Sequence, residues 1–335
     1  MFLRRVLSFA DPLACEAAIG TADVELFPTT KGNFHAKITQ IGMNGLLMHR
    51  VHISLPEIST VAVKRGRRSI GFLTEPDSAP LLHCGLEVLP GDIVLNRSDV
   101  VHQRSEANFR YGTLSLPLDG LVIAAKAIIG RELPKMSQKP VIRPPAALMH
   151  RLLSLHRSVG QLAHDTPDIL EQPGVRRALE QQLIHAMVRC LAEGAGAEMT
   201  KGAWRHDVIM RLFGEFLAAN RDRPLYLTEI CAGIAVAERT LRASCKEHLG
   251  MGPIRYLTLR RLHLVRRALL KADVRDTTVT RLVTDHGFWE LGRFSVVYRQ
   301  LFGECPSETL RRPQQQTAIY LNRTSPLDTN AWSFH

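Results

Sequence analysis

The sequence predicts an α+β chain: a β-rich first part, a helical middle and an all-helical final third. Three observations carry this. Short apolar runs punctuated by Gly, Pro and Asn recur between residues 24 and 118. Two stretches with apolar residues three or four apart follow, between 144 and 193. From Trp204 onward no strand candidate occurs. At roughly 100–200 residues per domain, the 335 residues hold two domains, three at most.

The start, Met1 to Gly20, briefly resembles a secretory signal, with Arg4 and Arg5 ahead of Val6-Leu7-Ser8-Phe9-Ala10. Asp11 and Pro12 end that run, which is too short for a secretory core, and export is rejected. No run approaches the roughly 18 apolar residues that span a bilayer, so a cytoplasmic chain without membrane contact is expected. Strands are expected at 34–41, at 46–53 after the turn signal Gly42-Met43-Asn44-Gly45, and at 61–63 before the basic turn Lys64-Arg65-Gly66-Arg67-Arg68. Leu86–Leu89 and Ile93–Leu95 flank the turn Pro90-Gly91-Asp92, and Phe109–Leu116 ends at Pro117. Strands at this spacing suggest a sandwich or small barrel of jelly-roll or cupin kind.

Pro144-Pro145 opens a helix with the stripe Leu148, Leu152, Leu155, Val159 and Leu162, broken by Pro167 and Pro173. Val175, Leu179, Leu183, Ile184, Met187, Val188 and Leu191 form a second stripe. Such stripes suit packing within one chain, and a homodimer interface is the alternative. Gly194-Ala195-Gly196-Ala197 reads as a flexible linker. The expected division is 1–135 β-rich, 140–195 helical linker and possible dimerisation region, 204–313 helical, and 314–335 a polar, disordered tail.

The six cysteines are far apart, which excludes a CxxC knuckle or redox pair. His49, His52, His83 and His102 fall in or beside strands, but no HxH motif with downstream Glu and His accompanies them. They are read as structural or surface residues, and no metal or cofactor is expected. The basic run at 64–68 is read as a solvated loop. No Ser-His-Asp set, P-loop or GxGxxG stands out, and no enzyme activity is expected.

Net charge is +11 and the pI about 9.7, which suits anionic partners. From Trp204 to Pro313, 19 Lys and Arg face 12 Asp and Glu, and most of these cations are Arg. This segment holds two helix–turn–helix units, about 226–250 and 277–303. In the first, Thr228 is expected to cap a helix, Ala235-Val236 to turn, and a second helix to run from about Ala237 to Leu249, ending at Gly250. Arg239, Arg242 and Lys246 line one stripe of that helix, the electrostatic footprint of a groove-reading element. In the second unit Thr278 caps Val279 to His286, Gly287 takes a left-handed turn held by Phe288-Trp289, and a helix runs from about Glu290 to Phe302. Between the units, Pro253 to Ala272 contains no further proline and no glycine. A helix of that length, about 30 Å, approaches the ~34 Å repeat of successive major grooves.

Residues 205–312 resemble the AraC/XylS family of bacterial transcription regulators. The match is carried by Gly287-Phe288-Trp289-Glu290-Leu291-Gly292-Arg293-Phe294, Tyr298-Arg299, Leu301-Phe302-Gly303 and Pro306-Ser307. Glu238-Arg239-Thr240-Leu241, Glu247-His248-Leu249-Gly250, Pro253 and Tyr256-Leu257 add to it. Gly-Phe-Trp followed by Leu-Gly-x-Phe is similar to regulators of the ethanolamine-utilisation type. The resemblance implies an N-terminal cupin-like effector-sensing domain, a helical linker and a C-terminal all-α DNA-binding domain with two helix-turn-helix units.

By this resemblance the base-facing residues are Arg239, Thr240, Arg242 and Ala243 in the first unit, and Leu291, Gly292, Arg293, Ser295 and Val296 in the second. Arg239, Arg242 and Arg293 can read guanine or clamp phosphate, while Leu291 and Val296 suit thymine methyls or sugar. Lys246 and Arg299 fall further along and suit phosphate. Ala235 and Ala237 stand where the family commonly has glycine and a serine cap, and Ala243 removes a polar group from a base-facing position. The implied partners are double-stranded DNA, RNA polymerase and a small-molecule effector whose site the sequence does not assign. Two alternatives remain: a cupin-type enzyme fused to a DNA-binding domain, and an effector-independent nucleoid-type binder.

Overall fold

The computed structural model describes residues 2–19, 22–63, 66–95, 100–133, 139–196, 199–220 and 223–312. The tail expected at 314–335, and Lys64 and Arg65 of the basic run, lie outside the described residues. No described helix is long and apolar enough to cross a membrane.

Strands β1 (Phe2–Phe9), β3 (Ala36–Met43), β4 (Leu46–Ile53), β6 (Arg67–Leu73), β9 (Ile93–Leu95), β11 (Phe109–Pro117) and β12 (Val141–Ile142) form one sheet, in the order β1-β3-β4-β11-β6-β9-β12. A second sheet is ordered β2-β5-β10-β7-β8, from β2 (Ala22–Pro28), β5 (Glu57–Val63), β7 (Leu81–His83), β8 (Leu86–Val88) and β10 (Val100–Ser105). The two close over a sandwich interior of Leu7, Phe9, Leu26, Ala36, Ile38, Ile53, Leu81, Val88, Phe109 and Tyr111. Tyr111 hydroxyl lies only 1.7 Å from where a Cβ of Gly71 would be, so that position admits no side chain. Two readings change. The stretch that imitated a signal is edge strand β1, paired antiparallel to β3. The basic run is in part strand: Arg67 begins β6 and donates to Gly45 O (2.6 Å) and Ser115 O (2.7 Å), clamping neighbouring backbone rather than facing water.

The β3–β4 hairpin turns where expected, with Asn44 at φ 49. Buried Glu180 satisfies that turn, accepting from Asn44 Nδ2 (2.8 Å) and Gly45 N–H (3.1 Å). Glu180 belongs to α5 (Pro173–Glu193). With α2 (Leu118–Ile129), α3 (Ala146–Asp165) and α4 (Pro167–Glu171), it covers the apolar end of the seven-stranded sheet's outer face. Leu152, Val159, Leu183, Ile184, Met187, Val188 and Leu191 are buried there beside Ile41, Met43, Met48 and Leu114. The stripes of α3 and α5 are thus consumed within the chain. A short helix α1 (Pro12–Ala18), capped by Asp11, links β1 to β2.

The segment read as a flexible linker is pinned over Gly194–Gly196, and Ala197 lies outside the described residues. Ala195 and Arg143 exchange backbone hydrogen bonds (2.7 and 3.0 Å). A Cβ at Gly194 would lie 2.1 Å from Ile142 Cγ2, so this glycine serves close approach rather than mobility.

Beyond it come α6 (Lys201–Ala219), α7 (Leu227–Gly233), α8 (Glu238–Leu249), α9 (Pro253–Lys271), α10 (Val279–Asp285), α11 (Leu291–Phe302) and α12 (Pro306–Arg311). The first of these share a core with the β-half: Phe27 and Ile58 of the five-stranded sheet pack with Met210, Phe213, Ile230, Leu241, Leu249 and Tyr256. The Arg260–Glu25 ion pair (3.5 Å) and the contact of His263 Nε2 with Pro28 O (2.9 Å) tie α9 to β2 of the same sheet, and the Arg267–Glu16 pair (2.5 Å) ties it to α1. The second unit keeps its own core of Leu262, Val265, Leu269, Val283, Phe294, Tyr298 and Leu310.

No disulfide joins any of the six cysteines, and burial pushes the Cys190 and Cys245 thiols up to about 12. Among the described residues no group of three or more His, Cys, Asp or Glu is placed to hold a metal ion.

Candidate nucleic-acid interface

In the first unit, α7 packs Ile230 inward and ends at Ile234, which is also buried. The cap of α7 is Tyr226, without a side-chain bond, and Thr228 falls inside the helix, so the expected cap by Thr228 is corrected. Helix α7 begins one residue ahead of Thr228, which places its hydroxyl past the cap position. The chain then reverses through Ala235 at φ 53, with Val236 N–H bonded to Cys231 O (3.0 Å). Ala237 occupies the N-cap of α8 and offers no side-chain acceptor. Helix α8 is held by buried Leu241, Ser244, Cys245, His248 and Leu249, and ends at Gly250 with φ 68.

In the second unit the Thr278 hydroxyl accepts from Arg281 N–H (3.2 Å) and caps α10 as expected. Gly287 turns at φ 77. Arg261 of α9 reaches this turn, donating to Gly287 O (3.3 Å) and stacking on the Phe288 ring (5.0 Å to its centroid). Phe288, Phe294, Tyr298 and Phe302 then form a chain of ring contacts at 4.9, 5.4 and 4.5 Å that seats α11. Trp289 does not join them: it is 70% exposed, correcting the expectation that both aromatics brace the turn. Helix α11 ends at Gly303, φ 75.

The buried stripes fix which residues point out. On α8, Arg239, Arg242, Ala243 and Lys246 are exposed and Thr240 is half-buried. On α11, Leu291, Gly292, Arg293, Ser295, Val296 and Arg299 are all exposed. Each set lies on one outward helix face, and the 19-residue α9 separates the two units. At 1.5 Å per residue that spacer is about 28 Å long.

Sequence reasoning placed Glu238 on the exposed face of α8 but missed the pairing of acids with arginines on these faces. Glu238 accepts from Arg242 Nε at 2.7 Å, and Glu290 lies 3.6 Å from Arg293. Such i,i+4 and i,i+3 pairs were legible in the spacing. Ser295 Oγ is turned back onto Leu291 O (2.9 Å), leaving its lone pairs for an outside partner. Less legible is the seat of α8 on the β-half. Its last turn buries His248 near His83, His102 and His206, and Gly85 makes room for the ring, since a Cβ there would meet it at 2.8 Å. Burial first, then these neighbouring histidines, holds His248 down at about 3.

Residues 230–312 match the helix-turn-helix domain family. The XylDLEGF operon transcriptional activator 1 of Pseudomonas putida is 34% identical over 98 residues, 29% of this chain and 30% of that protein. The transcriptional activator RhaS of Pectobacterium carotovorum is 29% identical over 162 residues, 48% of this chain and 54% of its own. A solved structure, a probable AraC family transcriptional regulator from Rhodopseudomonas palustris, is 31% identical, with 31% of this chain and 96% of that one covered and a TM-score of 0.28. The chain spans about a third of the length of the first curated relatives it matches.

Proposed function

We propose that the chain, whose residues 230–312 match the helix-turn-helix domain family and resemble named transcriptional activators, is an AraC-type regulator that binds DNA sequence-specifically and regulates transcription in response to an effector. The observation that carries this reading is the pair of helices α8 and α11, each presenting an exposed face with arginines and fixed to opposite ends of one spacer helix.

In this reading α8 and α11 enter successive major grooves on one face of the duplex. Arg239, Arg242 and Arg293 take guanine edges or phosphate, Leu291 and Val296 touch thymine methyls or sugar, and Lys246 and Arg299 hold phosphate. Thr240, Ala243, Gly292 and Ser295 complete the base-facing surface. Its work is binding rather than catalysis. Two relatives are named transcriptional activators, which supports an activator that contacts RNA polymerase beside the promoter. The β-half is the effector-responsive part. An effector shifts the balance of DNA-binding states only by binding them unequally. The contacts of α8 and α9 with the five-stranded sheet offer a route for that shift.

Footprinting of the purified full chain on DNA flanking its own gene tests the reading. A protected site with two parts about one helical turn apart is expected. Diffuse coating without a preferred site would refute it.

A further inference from the structure

The outer face of the seven-stranded sheet changes character along its strands. At one end Ile41, Met43, Met48 and Leu114 lie under α2, α3 and α5. At the other, the same face carries Lys37 and Thr39 of β3, Arg50 and His52 of β4, and Arg110 of β11. There the last turns of α3 stand off from the sheet, leaving an open cleft of about 460 Å³. That volume is within the ~300–1,000 Å³ of small-molecule sites.

The cleft is short of negative charge. Glu75 sits between Arg50 and Arg157 at 3.8 and 3.6 Å, ion-pair distances too long for hydrogen bonds. Asp165 is engaged by His164 (2.8 Å). Lys37 and Arg110 have no ion-pair partner among the described residues. His52 Nε2 is buried without a hydrogen-bond partner. Arg50 is held in place by sterics. It crosses α3 at Gly160, where a Cβ would lie 2.5 Å from its Cδ. Burial lowers the Arg50 pKa; Glu75 opposes this, while the nearby Arg157 and Arg110 lower it further. Guanidiniums gathered around one carboxylate repel one another unless an anion enters.

We propose that this cleft binds a small-molecule oxyanion, a carboxylate or a phosphate, between β3, β4, β11 and α3. Arg110 and Arg157, both exposed, supply planar forks suited to either group. The bound anion would tie the sheet to α3. As the effector of this chain, it rests on the regulatory reading above; as a binding site it does not.

Calorimetric titration of the full chain without DNA, at fixed ionic strength, separates the two. Citrate probes for carboxylates and pyrophosphate for phosphates. At least one should saturate a single site per chain, and the arm that saturates identifies the source. The double variant Arg110→Ala/Arg157→Ala should weaken binding about a hundredfold, each lost charge-assisted bond being worth about tenfold. Its unfolding midpoint should stay unchanged, because both side chains are exposed. Arg239→Ala/Arg242→Ala on α8 should leave anion affinity intact. Absence of saturation by either probe would overturn the site, as would equal loss in both variants or loss in the α8 variant alone. A cleft variant that binds non-specific duplex tenfold more weakly, with its anion titration unchanged, would make the cleft a DNA contact and overturn it too.

Discussion

Ala235 holds φ 53 in the first turn, a conformation that costs a residue with a Cβ about 1 kcal/mol. Two residues on, Ala237 caps α8 without a side-chain acceptor, although two or three amide N–H groups of the first turn are there to be satisfied. In the second unit the turn follows the rule, with Gly287 at φ 77, while the N-cap of α11, Glu290, likewise makes no side-chain cap bond. Ala235→Gly should therefore stabilise the chain by about 0.5–1 kcal/mol, the relief of strain offset by the greater freedom of glycine in the unfolded chain. Ala237→Ser should add about 1 kcal/mol. Urea unfolding of both variants measures this. A loss of stability in Ala235→Gly would mean that the turn is not strained. The acids paired with the recognition arginines also act at this scale. Arg242 is already shared with Glu238 at 2.7 Å, whereas Arg293 is 79% exposed and only loosely paired with Glu290.

At the scale of elements, α8 and α11 are presented differently. The far end of α8 is sunk into the β-half, while α11 rests mainly on the core of its own unit, with Leu301 also touching the first core. Between them α9 is fixed at both ends, by Tyr256 in the first core and by Leu262, Val265 and Leu269 in the second. Arg261 adds a direct bond to the second turn. In the proposed reading, a stiff spacer means that each arginine reaches only its own groove. Arg242→Ala and Arg293→Ala should each cost about 1–3 kcal/mol of affinity and relax base preference at positions about one helical turn apart. Arg293→Ala should be the more damaging, because no close carboxylate shares its guanidinium. Binding selections from randomised sites, run with each variant, report both effects. Relaxation of the same base positions by both would contradict the two-groove arrangement.

The whole molecule is knitted by buried neutral histidines. His83, His102, His49, His156, His248 and His263 are all held down at about 3 to 4, in each case first by burial. His102 joins the halves directly, through Thr60 Oγ1 (3.2 Å) and Met210 O (3.3 Å), and His263 does so through Pro28 O. Because their folded values lie below the ordinary ~6.5, the unfolded chain takes up protons first as pH falls. Stability is therefore full above about pH 6.5 and drains away through the window down to about pH 3–4. Two carboxyls oppose this: burial, then Glu16, raises Glu57 to about 8, and burial raises Glu16 to about 7 against Arg267, so their contributions grow as pH falls. Six imidazoles outweigh two carboxyls, each shift being worth about 1.4 kcal/mol per pH unit. The unfolding free energy should be at least ~2 kcal/mol lower at pH 5 than at pH 7. A flat or rising profile would show that these rings are not buried in solution.

The sequence by itself determined the class of the final third and most of the exposed faces of α8 and α11. The apolar spacing on α8 and α11 leaves Arg239, Arg242 and Arg293 nowhere to point but outward, since burying a guanidinium unpaired is too costly. It also marked Gly250 and Gly303 as the ends of those helices, both of which take a positive φ, while the strained position of Ala235 was signalled only by the family resemblance, in which glycine is common there. The tertiary structure alone decided what long-range pairing controls. Whether Arg67 starts a strand depends on β11 lying beside it. Whether Gly194 bends or packs depends on Ile142, more than fifty residues earlier. The cleft under α3 joins Lys37, Arg50, Arg110 and Arg157, which share no local pattern. The seat of α8 on His83 and His102 is likewise invisible locally, because spacing reports which face of an element is buried and not what buries it.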